Sequence, residues 1–160
     1  MGSYTDKNGK VWTFSVKYEL VLFLKDKIKL DLLEPYENGN NTLEEVVRNR
    51  YRMLELLFNT VKFCNRDASD ADIWESFDDG AVVNAQEAFF SDWVNFSQKS
   101  GRPDVAAAIL KAQALIQAGI KAAEAEINAV DSSQVIAKIT QAVHENMSTP
   151  IPSFGNLQDG

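Results

Sequence analysis

Three places in the chain carry side chains that could do chemistry. His144 is the only histidine and Cys64 the only cysteine. His144 stands near the end of the last apolar-periodic stretch, with no Cys, second His or paired carboxylates beside it. It reads as a solvated histidine favoured by a helix C-terminus. Cys64 lies between Phe63 and Asn65 in an apolar stretch. With no basic partner to lower its pKa it reads as buried packing, and one cysteine forms no intrachain disulfide. The third place is the acidic group Asp67, Asp70, Asp72, Glu75, Asp78, Asp79. Calcium is the chemistry such a group suggests, yet the Asp-x-Asp-x-Asp-Gly run with a Glu at the twelfth position is missing. Asp72 and Glu75 can share a helix face, but a hydrolase needs a cleft between its carboxylates. Helix capping and a solvated face account for the group more simply. The glycines are isolated, so no loop cradles a phosphate, and neither Gly-x-Ser-x-Gly nor Cys-x-x-Cys occurs. The expectation is a protein without catalytic residues, metal or cofactor. An enzyme built on Asp72, Glu75 or Asp79 with a divalent cation is the minor alternative.

Composition narrows the partner. The chain has 160 residues, 45% hydrophobic and 24% charged, which is globular and not disordered composition. Its net charge of −7 opposes a nucleic-acid footprint. The one basic cluster, Arg48, Arg50 and Arg52, has a spacing of two that sends its members to different helix faces, so it reads as solvated surface. The N-terminus shows no basic region followed by an apolar run, and an apolar run such as Leu20 to Leu24 is too short to cross a bilayer. No membrane partner and a cytoplasmic location are expected, and three Asn-x-Ser/Thr triplets are read as chance.

The elements follow from periodicity. Asp6-Lys7-Asn8-Gly9 is a turn signal before Val11 to Val16, where Trp12, Phe14 and Val16 share a strand face. A helix is expected over about 17–29, with Tyr18, Val21, Leu24 and Ile28 on its apolar side. A second runs continuously from Thr42 to near Asn65, Thr42 and Glu45 forming a capping box. Ser69 caps a short helix carrying Ile73, Trp74 and Phe77, and Asp78-Asp79-Gly80 ends it. A fourth helix, about 81–97, lines up Val82, Ala85, Phe89, Trp93 and Phe96 and is expected to be central. From Pro103 the chain turns alanine-rich: a long helix over about 104–130, a break at Asp131-Ser132-Ser133, and a last helix over about 134–146. The expected fold is mainly α: an N-terminal β-hairpin, a bundle of about four helices, then an alanine-rich helical hairpin. Three regions result: 1–100, the aromatic-rich core; 103–147, the alanine-rich hairpin; and 148–160, a flexible tail.

This order of features carries a resemblance. Gly9-Lys10-Val11-Trp12, Asp31-Leu32-Leu33, Cys64, Ser69-Asp70-Ala71-Asp72-Ile73-Trp74, Phe77, Asp78-Asp79-Gly80-Ala81, Ala85, Ala88-Phe89 and Trp93-Val94-Asn95-Phe96 follow one another over about residues 8–112. The pattern resembles the tail assembly chaperones of long-tailed bacteriophages and prophages. The resemblance implies binding to the tape measure protein, whose long hydrophobic helices are shielded before the tail tube polymerises around it. It also implies a second, frameshifted product, for which the segment from Pro150 to Gly160 is a suitable place. The alanine-rich region after about Ala112 departs from that pattern. On this reading Trp74, Phe77, Phe89 and Trp93 line a groove for helices, and Ile109, Ile116, Ile120 and Ile127 form a second contact or a self-association face. The partner is the tape measure protein or another tail protein. A structural tail component, or another protein-interaction module, is the competing expectation.

Overall fold

The computed structural model describes residues 1–129 and 132–148. Two antiparallel strands, β1 (Gly2–Thr5) and β2 (Val11–Phe14), pair in the register Gly2↔Phe14 and Tyr4↔Trp12. The turn between them is built by Asp6. Its Oδ1 accepts from the amides of Asn8 (2.9 Å) and Lys10 (3.0 Å), its Oδ2 accepts from Trp12 Nε1 (2.9 Å), and Gly9 takes the left-handed φ of 82°. Tyr4, Trp12 and Phe14 point to one buried face, with Val16 buried just past the strand end. A two-stranded sheet is marginal alone, and this one is laid on a helix: Phe14 meets the Phe89 ring at 6.2 Å, and a side chain at Gly2 would collide with Phe14.

Among the described residues seven helices follow: α1 (Tyr18–Ile28), α2 (Thr42–Arg48), α3 (Arg50–Cys64), α4 (Asp70–Ser76), α5 (Ala81–Lys99), α6 (Pro103–Ala129) and α7 (Ser132–Ser148). The chain is therefore mainly helical behind an N-terminal hairpin, as the periodicity implies. The expected second helix is two helices, and its capping box does not form. Thr42 is buried, and its hydroxyl accepts the Asp31 amide at 2.8 Å instead of capping. At Asn49 the backbone turns extended (φ −111°, ψ 107°), and the Asn49 side chain accepts from the amides of Tyr51 (3.0 Å) and Arg52 (3.4 Å) to start α3 anew. Ser69 caps α4 as expected, accepting from the Asp72 amide at 3.1 Å. α7 begins at Ser132, so the expected break does not include Ser132 and Ser133.

Two structural units are distinguished, Met1–Ile116 and Gln117–Gly160. The first holds the core. Trp12, Trp93, Phe89, Phe90, Leu20, Leu24, Leu56, Leu57 and Ile73 are fully buried in it, and Trp93 Nε1 donates to the Leu32 carbonyl at 2.9 Å. α5 buries its aromatic face in this core, while α3, packed against α1, α2, α4, α5 and β2, is the helix that touches the most elements. Pro103 does not mark the boundary, because Val105, Ala106 and Ile109 on the first turns of α6 are buried with this core. Arg102 secures that junction: its guanidinium donates to the Leu33 carbonyl (2.8 Å), to Glu37, and to Asp104 (2.8 Å). In the second unit Ile120 and Ile127 on α6 are 46% and 71% exposed, and Ile139 and Val143 on α7 are 59% and 52% exposed. Among the described residues these four apolar side chains lie about half or more in water. The expected tail lies outside the described residues beyond Ser148.

Candidate partner-binding surface

The residues expected to line a groove fall into three environments. Phe89 and Trp93 are fully buried and Phe77 nearly so. Packed against Phe14, Phe90 and Tyr4, they form the chain's own core, and the expectation that they face a partner is corrected on that ground. Trp74 remains at the surface. Ile109 is buried and Ile116 half-buried, while Ile120 and Ile127 are open. The stripe Val105, Ile109, Ile116, Ile120, Ile127 thus keeps one helical period but is covered only at its N-terminal end. Periodicity reports which face is apolar; it carries no information on whether the same chain covers that face.

Among the chemical candidates, His144 is exposed on α7. Cys64 is exposed as a residue, contrary to the buried packing expected of it. The residue lines an open crevice of about 270 Å³ with Ser15, Leu20 and Phe63. Desolvation there raises the thiol pKa, while a hydrogen bond to the Ser15 backbone opposes this; the direction is away from an activated thiolate. The acidic group stays on the surface and finds lysines: Lys62 pairs with Asp70 at 3.0 Å, and Lys7 reaches Glu75 and Asp78 at 3.5 Å each. Among the described residues no three His, Cys, Asp or Glu side chains converge as a metal site requires.

Several polar residues escaped the sequence reading. Asp92 is buried on α5, bridging the Met1 ammonium (2.7 Å) and the Val16 amide (2.6 Å). Its position on the apolar side of a helix is the only signal that could have marked it. Arg52, expected to be solvated, is half-buried and joins three helices: it donates to Glu45 (2.8 Å), Glu55 (2.6 Å) and the Ile28 carbonyl (3.0 Å). Burial pushes the Tyr4 hydroxyl up to about 12, although its 2.7 Å hydrogen bond to Ser76 acts the other way. Arg102 and Tyr36 hold the Asp104 carboxyl well below the usual range, the Tyr36 hydroxyl approaching it at 2.5 Å. Most of these contacts fasten one element to another; the Arg52 to Glu55 bond lies within α3.

α6 has a further property that counting uninterrupted apolar runs does not reveal. Over 27 residues, with a mean hydropathy of 1.3 in its most apolar window, it is long and apolar enough to cross a membrane. The same alanine-rich composition suits a helix that packs closely on another helix.

No protein-family model, curated protein or solved structure matches the chain.

Proposed function

We propose that this chain is a binding protein that shields hydrophobic helical segments of a partner, acting as a tail assembly chaperone for the tape measure protein in the host cytoplasm before tube polymerisation. The observation that carries the reading is the unburied apolar side of the C-terminal helices: Ile120, Ile127, Ile139 and Val143. In water such side chains gain about 0.8 kcal/mol for each methylene that a partner covers. A long helix with an open apolar stripe is also the complement of an amphipathic helical partner. The order of motifs from Gly9 to Phe96 supports the phage assignment through its resemblance to that family. The role calls for no catalytic group and no cofactor.

Co-expression with a long, helical tape measure protein tests the proposal. The expected outcome is a rise in the soluble fraction of that protein and a complex on size exclusion, both reduced by Ile120→Glu with Ile127→Glu. Absence of both complex and rescue overturns the proposal. Stoichiometric recovery of the chain in purified particles overturns it in favour of a structural tail component.

A further inference from the structure

A second surface, in the N-terminal unit, has a different chemistry. Of the three tryptophans, Trp12 and Trp93 are buried and Trp74 is 47% exposed. Its ring is not loose. Phe58 of α3 stacks on it with centroids 4.5 Å apart and planes 13° from parallel, and Phe77 meets it edge-on at 6.0 Å. A rigid aromatic side chain held open to water loses little conformational entropy on binding, which is why tryptophan is enriched among binding hot spots.

The stretch of chain that carries this ring is acidic. Asp70 precedes Trp74 by one helical turn, and Glu75 and Asp78 follow it, all three with side chains more than half exposed. Asp67, Asp72 and Asp79 lie in the same stretch. Lys62 pairs with Asp70 and the single ammonium of Lys7 is shared by Glu75 and Asp78, so six carboxylates face two paired lysines, and the nearby Arg66 is turned over the Phe63 ring at 5.4 Å. The charge balance decides what can dock. An anionic segment is repelled. A purely apolar one would strip water from carboxylates and give nothing back. A segment that alternates apolar residues with Lys or Arg satisfies both: its cations offset the excess of carboxylates over lysines, and its apolar side chains cover the exposed part of Trp74.

We propose that the Trp74 face of α3 and α4 is a docking site for a cationic amphipathic segment of a protein partner. The site shares no residue with the apolar stripe of α6 and α7.

The test uses the full chain and two probe peptides of about 18 residues, five helical turns: an amphipathic Lys/Leu peptide and its Glu/Leu counterpart. Trp74 is the reporter, since the other two tryptophans are buried. The Lys/Leu peptide is expected to shift tryptophan emission to the blue and shield it from acrylamide, and the Glu/Leu peptide to do neither. By calorimetry, Trp74→Ala and the pair Asp70→Asn with Asp78→Asn should each raise Kd about tenfold or more, as loss of a hot-spot contact does. The pair Glu124→Gln with Glu126→Gln removes equal charge from α6 and should change Kd less than about twofold. Circular dichroism checks folding; if Trp74→Ala unfolds, Trp74→Phe and the aspartate pair carry the test. Equal binding of both peptides, or equal loss in the α6 control, overturns the proposal by leaving only general charge attraction. Such a failure leaves the solubility rescue by Ile120 and Ile127 untouched, so the two readings fail separately.

Discussion

Ile109 and Ile127 belong to one stripe of one helix, and the structure assigns them opposite consequences. Ile109 is fully buried against the first unit, whereas Ile127 is largely in water. Ile109→Ala deletes three buried carbons. At about 0.8 kcal/mol each the transfer loss is about 2.4 kcal/mol, and the cavity left in a rigid core brings the cost to about 3 kcal/mol, inside the 2–5 kcal/mol usual for such truncations. Ile127→Ala deletes the same atoms from solvent. Its cost is about zero, or a few tenths of a kcal/mol in the stabilising direction, because alanine is the better helix former. Urea unfolding followed by tryptophan fluorescence reads the difference, since Trp12, Trp74 and Trp93 all lie within Met1–Ile116. With a slope of about 1.5 kcal/mol per molar urea, Ile109→Ala lowers the midpoint by about 2 M and Ile127→Ala leaves it in place. A midpoint unmoved by Ile109→Ala would refute the burial of α6 in the first unit and return the boundary to Pro103. Equal losses at both positions would refute the open stripe on which the proposed function stands.

Other expectations follow from the polar contacts. Trp93→Phe leaves the Leu32 carbonyl without its 2.9 Å donor inside the core and should cost about 1–3 kcal/mol in the same urea assay. Asn49→Ala removes the cap that restarts α3 and should cost about 1 kcal/mol, while Asn49→Asp keeps most of it; thermal melts by circular dichroism distinguish them. Tyr4 is raised by burial from 10.0 to about 12. Its neutral form is favoured by folding, so the stability it contributes is fully present below pH 10 and is lost as pH rises from there toward 12. Tyr4→Phe should therefore flatten the alkaline limb of a stability–pH profile. Asp31 behaves in the opposite sense. Burial raises its pKa, but the Lys25 ammonium at 2.8 Å and the amides of Leu33 and Glu34 outweigh that and leave it lowered. Its contribution is present above the unfolded carboxylate pKa and disappears as pH falls through the lower folded value, so Asp31→Asn should reduce the acid sensitivity of unfolding.

The elements themselves were largely legible. The Asp6 to Gly9 turn, the Ser69 cap, the Gly80 stop and the helical periods of α1, α5 and α6 are local signals, set by backbone geometry within one or two turns. The continuous second helix failed at Asn49 because its apolar period runs on through the break. The Thr42 capping box failed because the same hydroxyl is taken by the Asp31 amide from a different part of the chain. The site was less legible. Phe89 and Trp93 looked like a binding platform for the reason that makes them core: large aromatic side chains on one helix face.

By itself, then, the amino-acid order determined a mainly helical chain behind a β-hairpin, a change of character near Pro103, and which side of each helix is apolar. These follow from side-chain spacing along one helix or strand. Only the tertiary structure decided which apolar sides are covered: the Phe89 and Trp93 side by the hairpin and its neighbours, the Ile109 end of α6 by the first unit, and Ile127 largely left in water. The Ile120 and Trp74 surfaces are covered only in part, Trp74 by Phe58 and Phe77; coverage depends on which distant segments arrive at a face, and local periodicity holds no record of that.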